Sequence, residues 1–217
     1  MTEMKLSEIY SLLGFGFDGE DRLVSGISTD SRTVSENDVF VALVGDRFDA
    51  HDFLPSIKCA LAICEREVQG LSFPTVIVPS CVKALGQIAS LNAQKAGLEK
   101  VVSLTGSVGK TTTKEFCSLV LSKKYKTRKT EGNLNNHIGV PKTLLALDSS
   151  DRALVCEMGM SARGEISYLA SLVVSDIAII TNVGHSHIEN LGSRENIALA
   201  KLEIVEGLSK DGILILN

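Results

Sequence analysis

The stretch "VVSLTGSVGKTTTKEF", residues 101–116, decides the fold. An apolar run leads through Gly106 and Gly109 into Lys110 and three threonines. That order predicts a strand, a phosphate-binding loop and a helix in succession. The common loop spacing, G-x-x-x-x-G-K-[ST], would place its first glycine at position 104, which is Leu104. Only the far end of such a loop has to meet an anion. Glycines let the backbone curl so that N–H groups converge on a phosphate, and the following helix presents its positive end. Lys110 adds a charge, and Thr111 puts a hydroxyl where Mg²⁺ would sit. The plainer alternative is a strand–turn–helix carrying a surface lysine.

Outward from this stretch the pattern alternates. Before it, "SCVKALGQIASLNAQKAG" has a helical apolar stripe ended by Gly97. After it come the loop "TEGNLNNHIGVP", the helix "KTLLALD", the strand "RALVCEMG" and the helix "GEISYLASLV". The strand "DIAIITNVG", the helix "SRENIALAKLEIVEGL" and the strand "GILILN" follow. Alternating strands and helices predict a parallel sheet covered by helices. Residues 1–80 differ: short apolar runs such as "DVFVALVG" and "FPTVIVPS" sit among turn residues, and "FLPSIKCALAICE" reads as a helix running into a strand. The predicted fold class is therefore α/β, with a small mixed α/β domain over 1–80 and a phosphate-loop domain with a mostly parallel sheet over 81–217. An apolar final strand with no helix after it suggests a piece of a longer protein.

Composition narrows the functional classes. The 217 residues carry a net charge of −4, so no basic surface for nucleic acid or an anionic membrane is expected. No apolar run approaches the roughly 20 residues of a membrane span, and the N-terminus does not read as a secretory leader. Five cysteines without C-x-x-C spacing fit reduced thiols in the cytoplasm.

A nucleotide site with Mg²⁺ also needs groups at neighbouring strand ends. Glu157 closes the strand "ALVCE", where a buried carboxylate is costly without a cation; a solvated strand-end acid is the alternative. The next strand end delivers Asn182, His185, His187 and Glu189. His185 and His187 share one side if that segment is extended.

Taken together, "TGSVGKTTTKE", "GNLNNHIGVP", "EMGMSARGEI" and "ITNVGHSHIENLGSRENIALAKLEI" resemble the central domain of the Mur ligases. "STDSRTVSENDVFVALVGDRFDAHDF" is similar to that family's UDP-binding domain, with Ala50 where glycine is usual. The "TKE" and "NNHIGVP" segments favour the members that add D-alanyl-D-alanine to UDP-N-acetylmuramoyl-tripeptide over those that add the third amino acid.

The resemblance implies a cytoplasmic, monomeric ligase of peptidoglycan precursor synthesis, and so a part in cell shape and division. ATP would drive amide formation through an acyl phosphate. Residues 1–80 would hold the UDP substrate and residues 81–217 ATP. A third domain would lie outside the chain, leaving these residues inactive alone. Thr105, Gly106, Ser107, Val108, Gly109, Lys110, Thr111, Thr112 and Asn136 would bind ATP, with Asn135 and His137 beside the phosphates. Lys110, Glu157, His187 and Lys201 would be catalytic, and Thr111, Glu157 and His187 would hold Mg²⁺. Lys201 matches a lysine that some members carbamylate; a solvated helix lysine is the alternative. Ser31, Arg32, Asp49 and His51 would bind the UDP portion, although "DSR" is also an ordinary turn.

Overall fold

The computed structural model describes residues 1–217, which form two compact units: Met1 with Glu3–Ile88, and Thr2 with Ala89–Asn217. Both are α/β. The division falls later than the expected 80 because one helix, Cys81–Ala96, runs through it.

The first unit contains α1 (Leu6–Leu12), β1 (Ile27–Ser28), β2 (Val39–Val41), a 3₁₀ helix (Ala50–Ser56), β3 (Leu61–Cys64), β4 (Thr75–Ile77) and the start of α2 (Cys81–Ala96). The four strands are all parallel, in the order β1-β2-β3-β4. The apolar runs of β2 and β3 are buried throughout, as a strand covered on both faces requires. Phe40, Ala62 and Cys64 join Ala50, Leu54 and Cys59 in one cluster. Val39, Val41, Leu61 and Ile63 alternate to the other face and are equally inaccessible.

The second unit adds β5 (Lys100–Thr105), α3 (Lys110–Leu121), β6 (Thr127–Lys129), α4 (Gly139–Leu145), β7 (Ala153–Glu157), α5 (Glu165–Ser171) and β8 (Ser175–Ile180). It ends with α6 (Ile188–Leu191), α7 (Arg194–Leu202), a 3₁₀ turn (Glu203–Gly207) and β9 (Leu208–Leu216). Its sheet is parallel in the order β6-β7-β5-β8-β9. One cluster joins Val101, Leu154, Cys156 and Ala178 with side chains of α2, α4, α5 and α7. A smaller one joins Val102, Leu104 and Val155 with Cys117 and Leu121 of α3. Helices of seven residues are marginal alone, so packing holds them: each buried Leu144, Ile166 or Leu169 stabilises by about 1.5–3 kcal/mol.

Four details depart from the sequence reading. Thr127–Lys129 is a strand although it has no apolar residue. Helix α4 starts at Gly139, ahead of "KTLLALD", because Asn136 Oδ1 accepts from the Gly139 N–H at 2.9 Å and Pro141 is tolerated in a first turn. The last long helix ends at Leu202 in the 3₁₀ turn, and β9 begins at Leu208 with a register irregularity opposite Ser175–Ile177. No helix is long and apolar enough to cross a membrane.

Candidate functional site

The register of the second sheet brings the chemistry together. Leu104 pairs with Glu157 and Thr105 with Ile180, so the carboxyl ends of β7, β5 and β8 lie side by side. The chain leaves central β5 toward one edge and later crosses to the other, and ligands of parallel sheets bind at such a reversal. Gly109 takes φ 79° as the N-cap of α3, a left-handed conformation that suits glycine. At Gly106 a Cβ would stand 1.9 Å from Thr181 Oγ1, so no side chain fits. These two positions explain the unusual glycine spacing. Lys110 Nζ donates to the Gly106 carbonyl at 2.9 Å, while Thr111 and Thr112 are exposed on the first turn of α3.

Beside this loop two buried side-chain atoms have no hydrogen-bond partner: Thr105 Oγ1 and Glu157 Oε2. Asn135 Nδ2 donates to Glu157 Oε1 at 2.9 Å, and Thr130 Oγ1 accepts from the Glu157 N–H at 2.9 Å. The free oxygen faces Lys114 Nζ at 3.6 Å, an ion pair too long to be a hydrogen bond. Lys114 is 1% and Glu157 2% exposed. Alternation along β7 turns Val155 and Glu157 toward α3, whose inward stripe is Lys114, Cys117, Ser118 and Leu121. A buried carboxylate oxygen with no donor is what a hard cation would seek, so Glu157 fits the Mg²⁺ expected here.

The other expected site residues divide. Lys201 is 2% exposed, so it is not a solvated helix lysine. Burial, and then the charge of Lys110, pull its pKa down to about 8. Asn136 Oδ1 accepts from the Ile138 and Gly139 N–H groups at the entry to α4, and His137 is exposed. The His185–His187 segment is a turn and not extended: the Ile188 N–H donates to His185 O at 3.2 Å. His187, at φ 62°, is the one non-glycine residue with positive φ, and it is exposed as the N-cap of α6. No group of three or more His, Cys, Asp or Glu side chains converges on a metal position. Of the residues expected to hold a metal, Glu157 has a buried oxygen without a hydrogen-bond partner, and His187 is exposed at the start of α6.

Residues 104–217, a little over half of the chain, match the Mur ligase middle domain. The chain belongs to the Mur ligase family. It is 43% identical over 201 residues to the UDP-N-acetylmuramoyl-tripeptide--D-alanyl-D-alanine ligase of Bacillus subtilis, covering 90% of this chain and 44% of the relative. The crystal structure of MurF from Acinetobacter baumannii superposes with a TM-score of 0.90 at 34% identity, over 99% of this chain and 48% of that one. MurF ligase from Thermotoga maritima, solved in complex with ADP, gives 0.82 at 35% identity, over 88% and 45%. The chain spans about half the length of the curated relatives it matches.

In this Mur ligase chain three of the expected first-unit residues, Arg32, Asp49 and His51, are already engaged. Asp30 holds Arg32 by three hydrogen bonds, from its N–H at 3.0 Å, Nε at 2.8 Å and Nη2 at 2.6 Å. His51 is 1% exposed: its Nδ1 lies 2.6 Å from Asp49 Oδ1, and its Nε2 accepts from the Glu65 N–H at 2.9 Å. The ring is therefore the Nδ1–H tautomer, with no nitrogen left for a ligand. Asp49 also accepts from the His51 N–H and from Arg66 Nη1 at 2.6 Å. Burial opposes its ionisation, but these donors prevail and hold the carboxyl at about 2. Sequence reading did not single out Arg66 or Lys114 as site residues. For Lys114 the signal was present: it sits at i, with Cys117, Ser118 and Leu121 at i+3, i+4 and i+7 on one helix face.

Proposed function

We propose that the protein is a cytoplasmic, monomeric ATP-dependent ligase of peptidoglycan precursor synthesis, joining D-alanyl-D-alanine to UDP-N-acetylmuramoyl-tripeptide. The observation that carries this reading is the buried Glu157 oxygen without a hydrogen bond, one strand away from a loop ending in Gly109–Lys110–Thr111. The activity of the Bacillus subtilis relative and the ADP complex of the Thermotoga maritima MurF support it. The tripeptide carboxylate would take the γ-phosphoryl group of ATP, with ADP leaving. The amine of D-alanyl-D-alanine would then attack the acyl carbon, expelling phosphate and losing a proton.

Such transfer depends on positioning and charge neutralisation. Lys110 would place its ammonium on the terminal phosphates, and the N–H groups at the start of α3 would cradle them. The Thr111 hydroxyl and Glu157 Oε2 would hold Mg²⁺, with His187 toward a second ion. Mg²⁺ supplies neutralisation of charge on the moving phosphoryl group. A pKa of about 8 leaves part of Lys201 as free amine at neutral pH, the form that carbamylation requires. Asn135 aims Glu157, and Asn136 shapes the loop beside the phosphates. In the first unit Ser31 and Arg32 would meet the UDP portion, while Asp49 and His51 would act by fixing Arg66.

Isothermal titration tests this reading. The chain is expected to bind UDP-N-acetylmuramoyl-tripeptide and, separately, ATP with Mg²⁺. Absence of binding to the UDP substrate would sink the substrate assignment. Tighter binding of the UDP-N-acetylmuramoyl-dipeptide than of the tripeptide would move the protein to the ligases that add the third residue.

A further inference from the structure

The phosphate loop is held by the strand end next to it. The Val108 N–H donates to Asn182 Oδ1 at 2.9 Å, and the Ser107 N–H is shared between that same atom, at 3.0 Å, and the Asn182 backbone carbonyl, at 3.2 Å. Two consecutive N–H groups on a single acceptor are the geometry of an anion nest, here filled by an amide oxygen of the same chain. Further bonds stitch the same segments: Thr181 Oγ1 donates to Val108 O at 2.6 Å, and the Gly184 N–H donates to Ser107 Oγ at 2.9 Å. The close approach that requires glycine at 106 is to Thr181, the neighbour of Asn182.

We propose that Asn182 is a positioning residue for the phosphate loop. Its neutral oxygen takes the first two N–H groups and fixes the curvature of the loop before any nucleotide arrives. The N–H groups from Gly109 onward, with Lys110, are then left to face phosphate. Preorganising the loop in this way removes an ordering cost from nucleotide binding. An amide suits the position because it accepts two hydrogen bonds without adding negative charge beside the phosphates. The same contact ties the loop to the strand end that leads into His185 and His187. This inference rests on the reading that the loop binds nucleotide phosphates.

The test uses the full chain and two variants, with amide hydrogen exchange and ADP binding as readouts. In the wild type without nucleotide, the Ser107 and Val108 amides are expected to be protected. Asn182→Leu, close in size but with no side-chain acceptor, is expected to speed exchange of the Val108 amide, and less so that of Ser107, which keeps its bond to the residue-182 carbonyl, while β5 and α3 keep their protection. It should weaken ADP binding by about tenfold or more, as the loss of two hydrogen bonds implies. Asn182→Asp retains an acceptor and adds a charge: the two amides should stay protected while ADP affinity falls. Unchanged protection or unchanged ADP affinity in Asn182→Leu would overturn the proposal. If that variant does not fold, Asn182→Asp decides: unprotected amides or full ADP affinity overturn it. If the wild type binds no nucleotide, the nucleotide reading fails, and the exchange arm still reports whether Asn182 holds the loop.

Discussion

In the first unit, His51 is buried with both ring nitrogens on fixed partners, and Asp49 beside it accepts from His51 and Arg66. In the second unit, Glu157 is as deeply buried, yet one of its oxygens has no donor and its counter-ion stands 3.6 Å away. Burying a polar group costs free energy unless partners replace water. The first network meets that condition with its own side chains and so reads as scaffold. The second meets it only in part and depends on a cation. That contrast separates a carboxylate whose oxygens are satisfied from one that keeps an oxygen free for the proposed Mg²⁺.

The largest expected effect comes from removing the resident cation. Lys114→Met should destabilise the chain by about 3–5 kcal/mol in urea unfolding, because it leaves a buried carboxylate uncompensated. Glu157→Leu added to Lys114→Met should recover most of the loss, since two apolar side chains can replace a buried pair. A Lys114→Met cost below about 1 kcal/mol would show that Glu157 does not rely on Lys114, and the contrast between the networks would fail.

Lys110→Ala should leave stability nearly unchanged and weaken ATP binding by about tenfold to a hundredfold, the worth of a charge-assisted contact. Calorimetric titration reads it directly. Unchanged affinity would return the loop to a strand–turn–helix with a surface lysine.

What the sequence could disclose follows the same division. Strands β5, β7 and β8 were legible as apolar runs, and the G-K-T end placed the loop between β5 and α3. Glu157 was legible because a carboxylate closing such a run has a desolvation problem whatever the fold. Strand β6 was not legible: "TRK" is a polar edge strand, and Arg128 is held by Asp151, 23 residues on. The turn at His185 was missed because the lone N–H to carbonyl bond that closes it leaves no compositional trace. Neither the His51–Glu65 contact nor the Asn182 contact with the loop follows a local period, since each joins segments distant in sequence. Lys201 lay between these cases. A lysine in "ALAKLEI" reads as solvated until the packing of α7 is known.

Lys201 extends the comparison to a group whose burial costs stability. Its pKa falls from the ordinary 10.5 to about 8. A depressed pKa means the folded state binds the proton less well than the unfolded one. The associated stability is present above about 10.5 and lost as pH falls through about 8. Lys201→Met should therefore stabilise the chain at pH 7 by about 1–3 kcal/mol and by much less at pH 11, measured by urea unfolding at both values. Equal effects at the two pH values would mean that the ammonium is already compensated.

The smallest expected effect tests the satisfied network. The Asp49 carboxyl sits at about 2, against an ordinary 3.8. Here the stabilisation is present above about 3.8 and disappears as pH falls through about 2. Arg66 is one of several donors that lower it, and its guanidinium is half exposed, so solvent screens its ion pair. Arg66→Ala should leave stability at pH 7 nearly intact and move the midpoint of acid unfolding slightly upward. The His51 backbone and ring continue to hold the carboxylate. A loss at pH 7 comparable to that of Lys114→Met would mean that Asp49, like Glu157, depends on a single cation. The first network would then also be a place where a ligand could matter for stability.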